Sequence, residues 1–169
     1  RNDTDEIQKQ INAVMAAGEV DYCQGSVGDK LYENTREPLQ LISENGSRFF
    51  TMIEEAYTDK GGHNNDFNTV YSAVKRVDKC VAYATAFTFF HPDTVLIVTA
   101  DHETGGITKN EDGTYKFTST NHTNADVPVY AIGTGTAEAF AKKVDNTDIS
   151  KFIGKIFGND KFGDQNFKG

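Results

Sequence analysis

Long apolar runs are missing from this chain. No stretch approaches the ~18–20 residues that cross a bilayer, so a membrane-spanning helix is not expected. Cysteine is scarce: Cys23 and Cys80 are the only two, and their spacing fits no zinc knuckle and no redox motif. They are compatible with two separate thiols or with one disulfide, and they leave the redox compartment open. Basic side chains are outnumbered, 17 Lys and Arg against 25 Asp and Glu, giving a formal net charge of −8. An acidic surface of this kind argues against a nucleic-acid binder, which needs a basic footprint. It does not argue against an enzyme that handles phosphate, because bound metal ions supply positive charge locally. Residues 1–10 are polar and show no signal-peptide pattern, which fits a cytoplasmic protein and a mature exported one equally. Internal repeats, low-complexity blocks and clear linkers are also absent. The 169 residues therefore read as one single α/β segment, 1–169, long enough to bury a core.

Periodicity orders the elements. Residues 3–17 place Ile7, Ile11, Val14 and Met15 on one helical face, with Gly18 as the stop. Residues 19–34 show no period and read as loop; a second helix is expected from about Glu37 to Ser43, ending near Asn45-Gly46. Residues 48–54 form an apolar, partly aromatic strand ending in acidic residues. The glycine- and asparagine-rich segment 59–65 reads as loop. From Asp66 to Phe90, Val70, Ala73, Val74, Val77, Val81, Ala84 and Phe87 recur at helical spacing, with Asp66 as N-cap and His91-Pro92 as the end. The continuous run 95–100 is a strand; a strand of this type after a long helix implies a βαβ unit and a sheet covered on both faces. A hairpin is expected over 106–118 around Asp112-Gly113, then a strand over 127–132, a helix from Thr136 to Lys143 and a last helix over about 147–157.

In open α/β sheets, function collects at the carboxyl ends of the strands. The strand 48–54 ends in Glu54, soon followed by Asp59 and His63. The strand 95–100 runs into Asp101-His102, and His122 lies on a loop just ahead of the strand 127–132. Three of the four histidines thus fall near one rim, each beside carboxylates, while His91 ends a helix and reads as a cap. Imidazole and carboxylate together suit zinc. A glutamate without a nearby imidazole better suits magnesium. Aspartate–histidine pairs also occur as turn and cap residues, so spacing by itself leaves both readings open.

These residues also carry a family resemblance. The run Val98-Thr99-Ala100-Asp101-His102-Glu103-Thr104-Gly105-Gly106 resembles the TADHETGG signature of bacterial alkaline phosphatases. The stretch from Met52 through Glu54, Asp59, His63 and Asn65 to Asp66 is similar to that family's E-G-x-x-I-D-x-x-x-H-x-N-D segment. His122-Thr123-Asn124-Ala125-Asp126-Val127-Pro128-Val129 is similar to its H-T-G-x-D-V-P-V segment. The three motifs occur in the family's order within about residues 35–160. The resemblance implies part of a three-layer α/β/α sandwich with a mainly parallel sheet, the C-terminal part of such an enzyme, with a metal-binding region over about 48–132. It implies Asp59, His63 and His122 as ligands of a first zinc, Asp101 and His102 as ligands of a second, Glu54 as a magnesium ligand and Lys60 as a phosphate-binding group. Glu55 stands where the family usually has glycine, and Thr58 where it usually has an apolar residue.

What the resemblance implies but this chain lacks is equally specific. The family's serine nucleophile lies in an acidic D-S-A-like turn that nothing in residues 1–47 resembles; Ser26, between glycines, reads as a loop serine. The implied activity is hydrolysis of phosphate monoesters by two metals that clamp the attacking and leaving oxygens, with the missing N-terminal part of the same enzyme as a partner and the chain by itself inactive. A non-catalytic zinc-binding or interaction domain, or a related metal-dependent sulfatase, phosphodiesterase or mutase, is the alternative. The resemblance further implies a homo-oligomer and a periplasmic or extracellular location, and a chain without its partner segment is expected to self-associate. Asn45-Gly46-Ser47 matches a glycosylation sequon, a pattern that arises often by chance.

Overall fold

The computed structural model describes residues 21–25, 30–44 and 48–163. The helix expected over 3–17, Ser26, the sequon at 45–47 and the end of the tail lie outside the described residues.

The elements run β1 (Asp21–Gly25), α1 (Leu31–Glu44), β2 (Phe49–Ile53), α2 (Tyr57–His63), α3 (Phe67–Phe90), β3 (Leu96–Val98), β4 (Glu103–Thr104), β5 (Thr108–Lys109), β6 (Tyr115–Lys116), β7 (His122–Thr123), β8 (Tyr130–Ile132), α4 (Thr136–Ala139) and α5 (Asn146–Ile156). The core sits between α1 and α3. Leu31, Thr35, Leu39 and Ile42 make a buried stripe on α1, and Ala73, Cys80, Ala84 and Phe87 make one on α3. Both stripes follow the helical period, and each large apolar side chain so covered contributes about 1.5–3 kcal/mol. The buried Thr35 hydroxyl is satisfied within its own helix, donating to the Leu31 carbonyl at 2.7 Å. Cys80 is a free, buried thiol, and burial pushes its pKa up.

Several expectations hold. Asp66 caps α3, accepting from the N–H groups of Asn68 and Thr69 at 3.0 and 3.2 Å. His91 ends that helix, its N–H donating to the Phe87 carbonyl and its ring stacked on Phe87. The hairpin of β5 and β6 turns through Gly113 at φ 85°, a left-handed conformation that glycine adopts without strain. Helix α5 begins on an Asp145–Asp148 capping box. At its other end the Arg48 guanidinium donates to the Ile156 carbonyl at 2.7 Å and lies over the Phe157 ring.

Other expectations are corrected. The segment read as loop over 19–34 contains β1, which pairs in parallel with β2 from Asp21↔Phe49 to Gly25↔Ile53. It is a strand because a neighbour completes its ladder, not because of its own pattern. Helix α1 begins at Leu31 rather than near Glu37; Pro38, inside the helix, removes an N–H and interrupts the periodicity by which helices are read. Residues 59–65 are not a loop: most of them belong to α2. The strands expected over 95–100 and 127–132 shrink to β3 and β8, and the helix expected over 136–143 shrinks to α4.

The fold is α/β, with α1 packed on β1 and β2, and α3 on β3. The order β2–α3–β3 is the expected one, but the expected βαβ pairing is not formed among the described residues: β2 and β3 lie in separate two-stranded sheets, and β3 pairs antiparallel with β8. Among the described residues one strand pairing is parallel and three are antiparallel, so parallel pairing is confined to β1 and β2. No helix among the described residues is long and apolar enough to cross a membrane.

Candidate metal centre

Helix α2 carries Asp59 and His63, whose i,i+4 spacing places both on one face. Its first turn has no side-chain cap from Ala56. Instead the Glu55 carboxylate accepts from the Tyr57 N–H at 2.9 Å and from Arg76 Nε of α3 at 2.7 Å. The Glu55 side chain is only 2% exposed, so the start of α2 is tied to α3 by a desolvated ion pair.

The other end of α2 is fixed by absent side chains. A Cβ on Gly61 would stand 2.8 Å from Val70 Cγ2, and one on Gly62 2.7 Å from the Thr104 carbonyl oxygen. Two glycines inside a helix cost about 1 kcal/mol each relative to alanine. Here they let α2 touch α3 and β4 directly. Asn65, at φ 54°, leaves the helix, and its side-chain amide donates to the carbonyls of Gly62 and Ser119 at 3.0 and 2.7 Å. The pairing of β4 with β7, Thr104 opposite His122, then brings the third histidine alongside. His122 was expected on a loop; a two-residue strand is too short to show a period.

The outcome is a cluster around one carboxylate. Asp59 Oδ1 is 3.3 Å from His63 Nε2 and 3.3 Å from His122 Nε2, and the two imidazole nitrogens are 3.2 Å apart. His63 Nδ1 lies 2.6 Å from the Thr120 carbonyl, which only accepts, so Nδ1 carries the proton and Nε2 presents a lone pair to the cluster. Ligands ~2.0 Å from a tetrahedral zinc stand about 3.3 Å from one another. These three atoms have that spacing. The donor chemistry fits as well: the His63 lone pair, the His122 nitrogen and the Asp59 carboxylate are turned toward one point, a set that suits a bound cation.

His102 joins the same cluster. Asp59, His102 and His122 each offer a ligand atom within 4.8 Å of the others, and the His102 and His122 rings stack with centroids 3.5 Å apart. Asp101 is the outermost member, its side chain 85% exposed, with Oδ2 3.4 Å from His102 Nε2. Asn146, at the start of α5, donates to the Asp101 carbonyl at 3.0 Å. The structure therefore draws Asp59, His63, Asp101, His102 and His122 together. Glu54 and Lys60 are not drawn in: Glu54 is exposed beyond β2, and the exposed Lys60 holds its ammonium 4.8 Å from the Tyr57 ring centroid.

Two residues without an assigned role prove central. Thr104, buried, sits between Asp59 and His102. Glu103 accepts from the N–H groups of Gly106 and Ile107 and from the Thr123 hydroxyl. Burial pushes the Glu103 carboxyl upward, but those hydrogen bonds and nearby His102 outweigh it and hold the group below the usual carboxylate range. Both lie inside the glycine-rich motif; their sequence signal was position beside the candidate ligands, which does not distinguish a bystander from a support.

An α/β chain that gathers three imidazoles and two carboxylates has the makings of a metal site, and the chain belongs to the Metalloenzyme superfamily, whose profile matches residues 8–161. Among its relatives, alkaline phosphatase 3 of Bacillus subtilis is 30% identical over 126 residues, covering 73% of this chain and 25% of that protein. A 2,3-bisphosphoglycerate-independent phosphoglycerate mutase of Campylobacter jejuni is 31% identical over 107 residues, covering 63% of this chain and 20% of that one. The solved alkaline phosphatase of the Antarctic bacterium TAB5 superposes with a TM-score of 0.66 at 29% identity, covering 80% of this chain and 42% of that chain. A mutant of the TAB5 enzyme, solved with Mg bound in the M3 site, matches with a TM-score of 0.65 at 30% identity. The chain thus spans about a quarter of the Bacillus relative and under half of the TAB5 chain.

Proposed function

We propose that this chain is the metal-binding, C-terminal part of a zinc-dependent phosphate monoester hydrolase of the alkaline phosphatase kind. The observation that carries the reading is the trio Asp59, His63 and His122, three ligand atoms at zinc spacing with the His63 proton turned away onto Thr120. These three residues would hold a first zinc, Asp101 and His102 would serve a second, and Glu54 would serve a magnesium ion. The metal-binding region is the stretch 48–132. Bound zinc supplies Lewis acidity and lowers the pKa of coordinated water. This chain's own part is to hold the ligands in one tautomer and spacing. Lys60 would bind substrate phosphate once drawn from its place over Tyr57. The serine nucleophile, and further metal ligands, would come from an N-terminal part of the same enzyme, so the chain alone is inactive. Homo-oligomerisation and a periplasmic or extracellular location go with this reading.

The test is calorimetric. Metal-free chain titrated with zinc should take up about one tightly held ion, and His63→Ala or His122→Ala should abolish that uptake. The same chain should not hydrolyse p-nitrophenyl phosphate. Failure to bind zinc would remove the reading; turnover by the isolated chain would remove the claim of inactivity. The mutase similarity supports a second reading, phosphate transfer within a phosphoglycerate, and assay of the completed enzyme on both substrate types separates them.

A further inference from the structure

We propose that Thr104 is a positioning residue that joins the two ligand sets, holding His102 in the tautomer that can bind metal; this rests on the metal reading above. Thr104 is 9% exposed and its hydroxyl has one proton. Thr104 Oγ1 lies 2.6 Å from Asp59 Oδ1, and an ionised carboxylate only accepts, so the hydroxyl proton is committed to Asp59. The same oxygen lies 3.2 Å from His102 Nδ1. With its proton already used, Thr104 can only accept there, and the proton of that contact must sit on His102 Nδ1.

The chain of donation therefore runs one way, from His102 Nδ1–H to the Thr104 hydroxyl to the Asp59 carboxylate. A neutral His102 so held has its lone pair on Nε2, the atom 3.4 Å from Asp101 Oδ2. A lone pair facing a carboxylate at that range is unfavourable unless a cation lies near both, which is the arrangement a second metal needs. A histidine side chain free in water favours the opposite tautomer, with its proton on Nε2. A single hydroxyl thus orients one ligand of the first set, Asp59, and selects the metal-binding form of one ligand of the second, His102. The backbone of Thr104 is also the surface that Gly62 touches, so the hydroxyl is held by packing as well as by its partners.

The experiment compares wild type, Thr104→Val and Thr104→Ser as full chains. Valine keeps the shape and removes the hydroxyl; serine keeps the hydroxyl. In metal-free, histidine-labelled protein at mildly alkaline pH, nitrogen NMR should report the Nδ1–H tautomer of His102 in wild type and in the serine variant. The valine variant should shift toward Nε2–H. Zinc affinity should fall about tenfold in the valine variant, as for other groups that orient metal ligands, and be largely retained with serine, at unchanged melting temperature. A valine variant with the wild-type tautomer and affinity would overturn the proposal while leaving the metal reading intact. A wild-type chain that took no zinc would overturn the metal reading and the positioning role together.

Discussion

Gly62 rests directly on the backbone of Thr104: a Cβ at position 62 would stand 2.7 Å from the Thr104 carbonyl oxygen and 3.0 Å from its carbonyl carbon. Gly105 completes the contact, since a Cβ there would meet the Gly62 carbonyl oxygen at 2.9 Å. The helix bearing Asp59 and His63 and the strand bearing Thr104 can approach this closely only because Gly62 and Gly105 carry no side chain where they meet. Gly62→Ala tests the point. In an unconstrained helix that change stabilises by about 1 kcal/mol; here the obstacle is backbone, which cannot swing aside. The expected result is a loss of about 1–3 kcal/mol, as in overpacked cores, with zinc affinity falling as Asp59 moves away from its partners. Denaturant titration and calorimetry measure both. A variant that is more stable and binds zinc normally would show that the contact does not control the site.

The Glu55–Arg76 pair makes a separate prediction. The Glu55 carboxylate is nearly fully desolvated against Arg76 Nε at 2.7 Å. Removing the cation should hurt more than neutralising the acid, because an unpaired buried charge is the costlier residue to leave behind. Arg76→Met should therefore cost about 3 kcal/mol, the low end for breaking a buried pair, given that Arg76 itself keeps some contact with water. Glu55→Gln, which can still accept from the Tyr57 N–H, should cost clearly less. Urea midpoints for the two variants give the comparison; equal losses would mean that the ion pair carries no special weight.

Much of this molecule is legible in its sequence, and what is not has a physical reason. The long helix from Phe67 to Phe90 is announced by its apolar period and by Asp66, both local signals. The hairpin at Gly113 and the capped helix at Asp145 are local as well. By contrast β1 and the β4–β7 pair exist through partners distant in sequence, and strands of two residues have no period to detect. Gly61 and Gly62 mislead for a different reason: glycine marks loops when it supplies flexibility, but here it supplies closeness. For the candidate site, the gathering of Asp59, His63, Asp101, His102 and His122 at one place could be read from their positions beside the expected strand ends. The support from Thr104, Thr120 and Glu55 could not, because it depends on which atoms face one another.

The cap at Asp66 predicts a pH dependence. Hydrogen bonds from the Thr69 side chain and backbone, together with the Asn68 N–H, hold its pKa below the ordinary 3.8. A carboxylate with a depressed native pKa contributes stability that is fully present above its unfolded value and is lost as pH falls through the native one. Asp66→Asn keeps a capping oxygen but cannot titrate there. The stability difference between wild type and this variant should be constant from neutral pH down to about pH 5. It should shrink below the ordinary aspartate value. Thermal melts across that range check it, and a difference that grew on acidification would contradict the assigned hydrogen bonds.

Exposed apolar side chains lead to the last prediction. Phe89 and Phe90, at the end of α3, are 82% and 75% exposed, and Tyr130 on β8 is 66% exposed. Leu41 on α1 adds a further open surface at 63%. Strands β3 and β8 pair only with each other among the described residues, so each shows an outer edge to which another backbone can bond. Isolated apolar residues on a surface are ordinary, but adjacent phenylalanines this exposed, on a chain with open strand edges, favour association. At micromolar concentration the 18.6 kDa chain should sediment as species larger than a monomer. Phe89→Ser with Phe90→Ser should move it toward the monomer without loss of helical circular dichroism, since neither side chain is part of the core. A wild-type chain that sediments as a clean monomer at these concentrations would mean that these surfaces are tolerated in water as they stand.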